Sequence, residues 1–318
     1  MKRLVALLVC LLLSLSPAGS GSAQKTSAKG IASKYPGDVD IAKDPDVLFV
    51  EGFESANWDK NWQERSRGHR RYGAMETDPK IVLGGKRSLK LLFKPEAGKD
   101  AAGWMHRWWD GADVAHLRYY FRLSTGGNWR NQKIMQLHGH RRGRKYGTGA
   151  GRRPTGYDWF CTGTGVGGRR GPPWTDIILY TYHPHQRGGY GDNVKPNQGV
   201  QPKVPEGKWV CYEFMIKLND VGKRNGEQRL WIDGKLVIEQ KGLEWRKRAD
   251  MLIDNIMQPT YTHPPPKPGT SRILWIDNIV LAKRYIGPLN TTGRHPGSRI
   301  GSGGRLTPPA GWGEGEDK

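Results

Sequence analysis

The chain has 318 residues and a formal charge of +21, from 51 Lys and Arg against 30 Asp and Glu. A hydrophobic fraction of 36% with 13 Trp is too apolar for a wholly disordered chain. A single long apolar run excludes a multi-span membrane protein, and 44 Gly without a Gly-X-Y period exclude collagen.

Met1-Lys2-Arg3 is a short positive start. The apolar run that follows, residues 4–15, is too short for a bilayer, which needs about 20 residues. Pro17 and the small residues Gly21-Ser22-Ala23 complete the pattern of a signal peptide over residues 1–23. A secreted or periplasmic protein with no stable membrane anchor is expected. Loss of Lys2 and Arg3 leaves +19. Outside the cytoplasm such a charge meets acidic polysaccharide, wall polymers or anionic lipid, and no nucleic-acid partner is expected.

Residues 24–46 are rich in Lys, Ser, Ala, Gly and Asp without periodicity and read as a linker. Residues 288–318 combine Gly and Pro with little apolar content and read as a disordered tail. The body, 47–287, has the size of one domain, expected as a monomer. Its dominant period is two. Strands are predicted over 88–93, 117–123, 176–182, 209–218, 228–232, 235–239 and 272–282. Asp233-Gly234 marks a hairpin between the fifth and sixth of these. Only residues 245–253 suggest a helical turn. Many strands with Gly and Pro punctuation predict an all-β sandwich or jelly roll.

Several strands alternate an apolar face with one bearing cations and aromatics. Arg118 and Arg122 share a face of 117–123, and Trp209 and Glu213 share one of 209–218. Such faces fit a concave sheet that binds an acidic sugar chain, with rings stacking on pyranose and cations meeting carboxylates. Ordinary cross-strand pairing on a solvated face produces the same pattern.

Tyr180 and Tyr182 are two apart on a strand, so their side chains share a face. Upstream, Lys133, Gln136, His138, His140 and Arg141 lie within nine residues. Glycoside hydrolysis uses paired carboxyl groups about 5–10 Å apart, and no Asp/Glu cluster lies on a strand here. β-Elimination on a uronic acid has other needs. A cation or amide offsets the carboxylate charge as the adjacent carbon loses its proton. A Tyr or His takes that proton, and a Tyr returns one to the leaving oxygen. Lys133 or Gln136 suits the first role, and Tyr180, Tyr182 or His138 the others. Buried strand aromatics and loop histidines are the structural alternative.

Five stretches carry a resemblance: Tyr180-Thr-Tyr-His-Pro-His-Gln, Gly207-Lys-Trp-Val-Cys-Tyr-Glu, Lys217-Leu-Asn, Asn225-Gly-Glu-Gln-Arg-Leu-Trp-Ile-Asp-Gly and Trp275-Ile-Asp-Asn-Ile. Together they resemble polysaccharide lyases of the alginate-lyase type, family 14-like, with a concanavalin-like β-jelly roll. The resemblance implies a lyase site made of a Lys, a Ser-x-Arg pair and a Tyr-x-Tyr pair. Tyr180 and Tyr182 match the last, and Lys133 matches the first in order. The strand expected to carry Ser-x-Arg reads Tyr157-Asp-Trp-Phe-Cys-Thr, without Arg; Arg169 and Arg170 follow in a Gly-rich loop. A non-catalytic carbohydrate-binding protein of the same fold is the alternative function.

No cofactor is required by this chemistry. Jelly rolls often hold a structural Ca²⁺ where first and last strands meet, and Glu51, Glu54 and Asp277 offer oxygens there. Cys161 and Cys211 remain after cleavage and are expected to pair in an oxidising compartment, the alternative being two buried thiols.

Overall fold

The computed structural model describes residues 29–98, 103–127, 129, 131–145, 151–166, 178–199, 204–292 and 303–304. The expected signal peptide, Arg169 and Arg170 lie outside the described residues, as does most of the expected tail. In chain order the strands are β1 (Val47–Glu51), β2 (Glu64–Arg65), β3 (Gly73–Glu76), β4 (Ser88–Phe93), β5 (Trp104–Ala112), β6 (Val114–Leu123), β7 (Gln132–Arg141) and β8 (Trp159–Val166). Then follow β9 (Ile178–Tyr182), β10 (Asp192–Val194), β11 (Trp209–Lys217), β12 (Gly226–Ile232), β13 (Lys235–Leu243), β14 (Met251–Pro259), β15 (Arg272–Ala282) and β16 (Gly303–Gly304). The α-helix α1 (Arg67–Tyr72) begins where the Ser66 hydroxyl accepts from the His69 N–H at 3.1 Å. The helical turn expected over 245–253 does not form, because Met251 onward pairs with β5 and β7. Among the described residues, no helix is long and apolar enough to cross a membrane.

Two antiparallel sheets form a jelly-roll sandwich. One runs β13-β12-β11-β6-β15-β1-β16, with β4 paired to β15 and β3 to β4; the other runs β10-β9-β8-β7-β14-β5-β2. The period-two strands explain why they pack. Leu117, Tyr119, Phe121 and Leu123 of β6 and Val210, Tyr212, Phe214 and Ile216 of β11 enter one core with Leu137, Phe160, Leu179 and Ile253 of the second sheet. Asp233 and Gly234, with φ of 46° and 78°, make the expected hairpin between β12 and β13.

The linker expectation for 24–46 is corrected over its described part. Residues 31–43 form three short 3₁₀ turns packed on the outer face of the first sheet. Ile31, Ala32 and Ile41 bury themselves with Val47, Val50, Val280, Ala282 and Ile286 in a second apolar cluster. The period there is irregular because the chain lies across strands instead of pairing along one. Part of the expected tail is ordered too, since Gly303 and Gly304 pair with β1.

This covering layer decides the fate of four residues expected to bind substrate. The Arg118 guanidinium is fully buried against the Asp38 carboxylate. Glu213 accepts from the backbone N–H of Ile286 and Gly287 at 2.9 and 2.8 Å and contacts His116 Nδ1 at 2.9 Å. Arg122 donates to the carbonyls of Lys80 and Ile81, and Trp209 Nε1 donates to Ile81 at 2.7 Å. Arg118, Arg122, Trp209 and Glu213 therefore clamp loops onto the first sheet. Their cation-and-aromatic pattern reflects hydrogen bonding to a covering segment, not an open sugar face.

The expected disulfide is absent as well. Cys161 sits on the outer face of the second sheet beside Trp159 and Tyr182, whereas Cys211 lies near Arg118 and Tyr120 on the first. Both are free and buried. The sandwich core, about 10 Å thick, separates them, beyond the roughly 7 Å Cα separation a disulfide tolerates. Burial pushes both thiols up to about 12. A reducing agent is expected to leave the melting temperature unchanged, and an alkylating thiol reagent to modify both cysteines only after denaturation. Mass spectrometry of the native and denatured protein checks this.

Candidate active site

The outer face of the second sheet holds the remaining candidates. Strand register arranges them in rows. One row crosses His106 (β5), Met257 (β14), Gln136 (β7), Gly163 (β8) and Tyr180 (β9). The next crosses Trp108, Asn255, His138, Cys161 and Tyr182. Lys133 lies one step further along β7, opposite Gly165. Neighbouring strands are about 4.8 Å apart, so Gln136 and Tyr180 stand about 10 Å apart across Gly163.

A shallow groove opens there, lined by Lys133, Gln136, Gly163, Gly165, Ile178 and Tyr180 among others. Its floor requires glycine. A Cβ on Gly163 would meet Gln136 Cγ at 2.3 Å. The Lys133 ammonium sits 5.0 Å from the Tyr180 ring centroid and 4.7 Å from that of Tyr261. The Tyr180 and Tyr182 hydroxyls are 3.1 Å apart. Burial, reinforced by the bond to Tyr180, raises the Tyr182 phenol well above its ordinary value, so it keeps its proton.

His138 is only 4% exposed although it lies on the sheet's outer face. Burial, with His140, His106 and Lys133 nearby, holds it well below the ordinary imidazole value, so it is neutral. Its Nε2 lies 3.1 Å from Gln136 Oε1, which assigns the Nε2 proton to that bond and leaves Nδ1 as the basic nitrogen. His140 Nδ1 contacts Asp254 Oδ1 at 2.7 Å, and its ring lies 6.0 Å from that of His138. Arg141 is exposed at the end of β7, where its N–H donates to the Asp158 carbonyl.

Lys133, Gln136, His138, His140, Tyr180 and Tyr182 thus come together on one face. Sequence reasoning missed its other half. His106 contacts Asn255 Oδ1 at 2.9 Å through Nδ1 and stacks on Trp108 at 5.5 Å. Asp254, Asn255 and Trp159 belong to the same surface. The alternation Trp104-x-His106-x-Trp108 was a visible signal of a polar aromatic face.

The three expected calcium ligands are engaged by protein donors. Glu51 accepts from the Phe53 N–H and Asn61, Glu54 from the N–H of Lys86 and Arg87, and Asp277 from Ser88 and the Asn278 N–H. Burial raises the Asp277 carboxyl well above its usual range. Among the described residues, no three His, Cys, Asp or Glu gather as metal ligands. Glu54 and Glu51 lie near enough to add to the rise at Asp277, and no step of the chemistry below depends on a cation.

The buried imidazoles carry a pH signature. Burial lowers His106 to about 4 and His69, further lowered by Arg65 and Arg70, to about 3. Unfolded, each titrates near 6.5. Below that value the unfolded chain binds protons that the folded chain refuses, so acid favours unfolding. Their contribution is complete above pH of about 6.5 and falls as pH drops toward 4, by about 3 kcal/mol from His106 alone. Urea midpoints measured from pH 7 to 4 are expected to decline over this window, and less so in His106→Asn.

The fold has known counterparts. The alginate lyase Aly36B superposes with a TM-score of 0.55 at 17% identity, covering 76% of this chain and 99% of that one. The alginate lyase vAL-1 from Chlorella virus gives 0.52 at 17% identity, over 67% and 89%. The marine PL-14 alginate lyase from Aplysia kurodai gives 0.52 at 15% identity, over 68% and 88%. The chain has the alginate-lyase type of β-jelly roll. A family model described as Polysaccharide lyase 14 matches residues 190–262, which run from the loop before β10 into the segment after β14. The Tyr180–Tyr182 strand lies just before that match. Among curated proteins, none matches the sequence.

Proposed function

We propose that the protein is a polysaccharide lyase that cleaves a uronate-containing polymer by β-elimination on the outer face of the second sheet. The observation that carries this reading is that Lys133, Gln136 and Tyr180 line one groove, with His138 hydrogen-bonded to Gln136 and Tyr182 to Tyr180. The Lys133 ammonium and Gln136 amide meet the substrate carboxylate and offset charge as the adjacent carbon loses its proton. Neutral His138 takes that proton through Nδ1, or Tyr180 takes it as the phenolate. The bond to the glycosidic oxygen beta to the carboxylate breaks, and Tyr182 protonates the departing oxygen. An unsaturated uronate and a new chain end result, with no oxidant or cofactor consumed.

The reading includes an extracytoplasmic monomer whose partner is acidic polysaccharide, in keeping with the basic charge and the similarity to alginate lyases. One observation favours a non-catalytic sugar binder instead. The outward residues of β8 are Trp159, Cys161, Gly163 and Gly165, with no cation where the resemblance calls for Ser-x-Arg. Purified protein incubated with alginate, polyglucuronate, hyaluronan or heparin is expected to release unsaturated uronate, followed by ultraviolet absorbance. Binding of a polymer without product from any of the four returns the binder reading.

A further inference from the structure

One end of the second sheet, where β7 finishes and β8 and β14 begin, is closed by loops around 142–145, 151–158, 183–191 and 244–250. Backbone contacts knit them into one surface. The Arg142 N–H donates to Asp250 O at 3.0 Å and the Lys247 N–H to Gly156 O at 2.8 Å. Arg153 donates to the Gln186 carbonyl at 3.4 Å. A Cβ on Gly151 would lie 3.8 Å from the Tyr190 ring.

Two properties single this rim out. First, its acids are already engaged: Asp158 with Arg152 at 3.2 Å, Asp250 with both nitrogens of an Arg248 fork, Asp192 with His183 at 3.2 Å and Glu244 with His185 at 2.6 Å. Arg142, Arg144 and Arg187 are exposed and form no ion pair among the described residues. Second, the described residues contain four exposed large hydrophobic side chains, and two of them, Tyr157 (54%) and Tyr190 (66%), lie here. Tyr157 also lies 5.8 Å from the Lys247 ammonium. Exposed cations that make no ion pair among the described residues are available to an external polyanion. Exposed phenol rings beside them give a sugar chain flat faces to stack on.

We propose that this rim is a second binding surface for acidic polysaccharide, anchoring a stretch of polymer away from the groove at Lys133 and Tyr180. The choice of partner rests on the lyase reading. From Lys133 to Arg141, β7 spans roughly 25 Å at about 3.3 Å per residue. A trisaccharide seated at Lys133 stops short of Arg142 and Arg144; a polymer spans both. The surface therefore favours long chains over short ones.

The test replaces Arg142, Arg144 and Arg187 together by Ser in the full chain, in a Tyr182→Phe background so that no polymer is consumed. Mobility is measured in native gels containing alginate, polyglucuronate, hyaluronan or heparin. The Tyr182→Phe protein is expected to be retarded by at least one polymer. The triple substitution is expected to weaken that retardation roughly tenfold at low salt and less at high salt, where exposed charges are screened. Lys at the three positions is expected to restore it, with an unchanged melting temperature throughout. Binding of the matching trisaccharide is expected to be unaffected. Equal retardation of the triple variant, retardation by none of the four polymers, or equal affinity for double-stranded DNA overturns the proposal. Rim-dependent retardation, with no unsaturated product released by the unsubstituted protein, sinks the lyase reading and leaves the anchoring surface standing.

Discussion

Tyr182→Phe is expected to lower turnover of a uronate polymer by about 10²–10⁴-fold, the range for loss of a positioned general acid or base. The Tyr182 hydroxyl lies 3.1 Å from that of Tyr180, and burial keeps it protonated, the form that donates to a departing oxygen. The substitution removes one oxygen and leaves the ring against Trp159, 5.2 Å away between centroids. Affinity for the polymer is therefore expected to stay within about twofold, so that the loss falls on kcat and not on KM. Initial rates by ultraviolet absorbance, with binding read separately by native gel, separate the two. Retained turnover in Tyr182→Phe moves the acid role to another residue.

Asp38→Ala is expected to destabilise the fold by about 3–5 kcal/mol, because it strands the Arg118 guanidinium as an uncompensated buried charge. Both partners are fully buried, and among the described residues Arg118 has only the carbonyls of Gly287 and Asn278, each at 3.4 Å, as further acceptors. The same change loosens residues 31–43 from the first sheet, since Asp38 lies in the second of their three turns. Urea denaturation checks the size of the effect, and limited proteolysis checks its place, with early cleavage expected before Val47. Asp38→Ala combined with Arg118→Met is expected to recover much of the loss, because the stranded charge goes with it. A double variant as unstable as Asp38→Ala would show that the segment is held by its apolar contacts instead.

Much of the framework was legible in residue order. The predicted strands 88–93 and 272–282 coincide with β4 and β15, and the Asp233-Gly234 turn joins β12 to β13. Those features are local: alternation sets a strand, and positive φ sets a turn. The pairing of Tyr180 with Tyr182 on one face was legible for the same reason. His106, Trp108, Asp254 and Asn255 were not assembled with His138 and His140. Their contacts span 114 to 149 residues, and nothing in either stretch alone announces the partner.

The basic, aromatic composition marked an extended β protein with polar faces. The alternation of β6, β7, β9 and β11 stated which side chains leave the core, because that depends only on the two-residue repeat of a strand. Which of those outward faces meets solvent was decided by tertiary structure. Arg118 and Glu213 alternate as regularly as Gln136 and His138. The first pair lies beneath residues 31–43 and 286–289, whereas Gln136 lines a groove and His138 is hydrogen-bonded to it. A covering segment without periodicity leaves no mark on the strands it covers, so exposure of a face is a property of the whole chain and not of the strand.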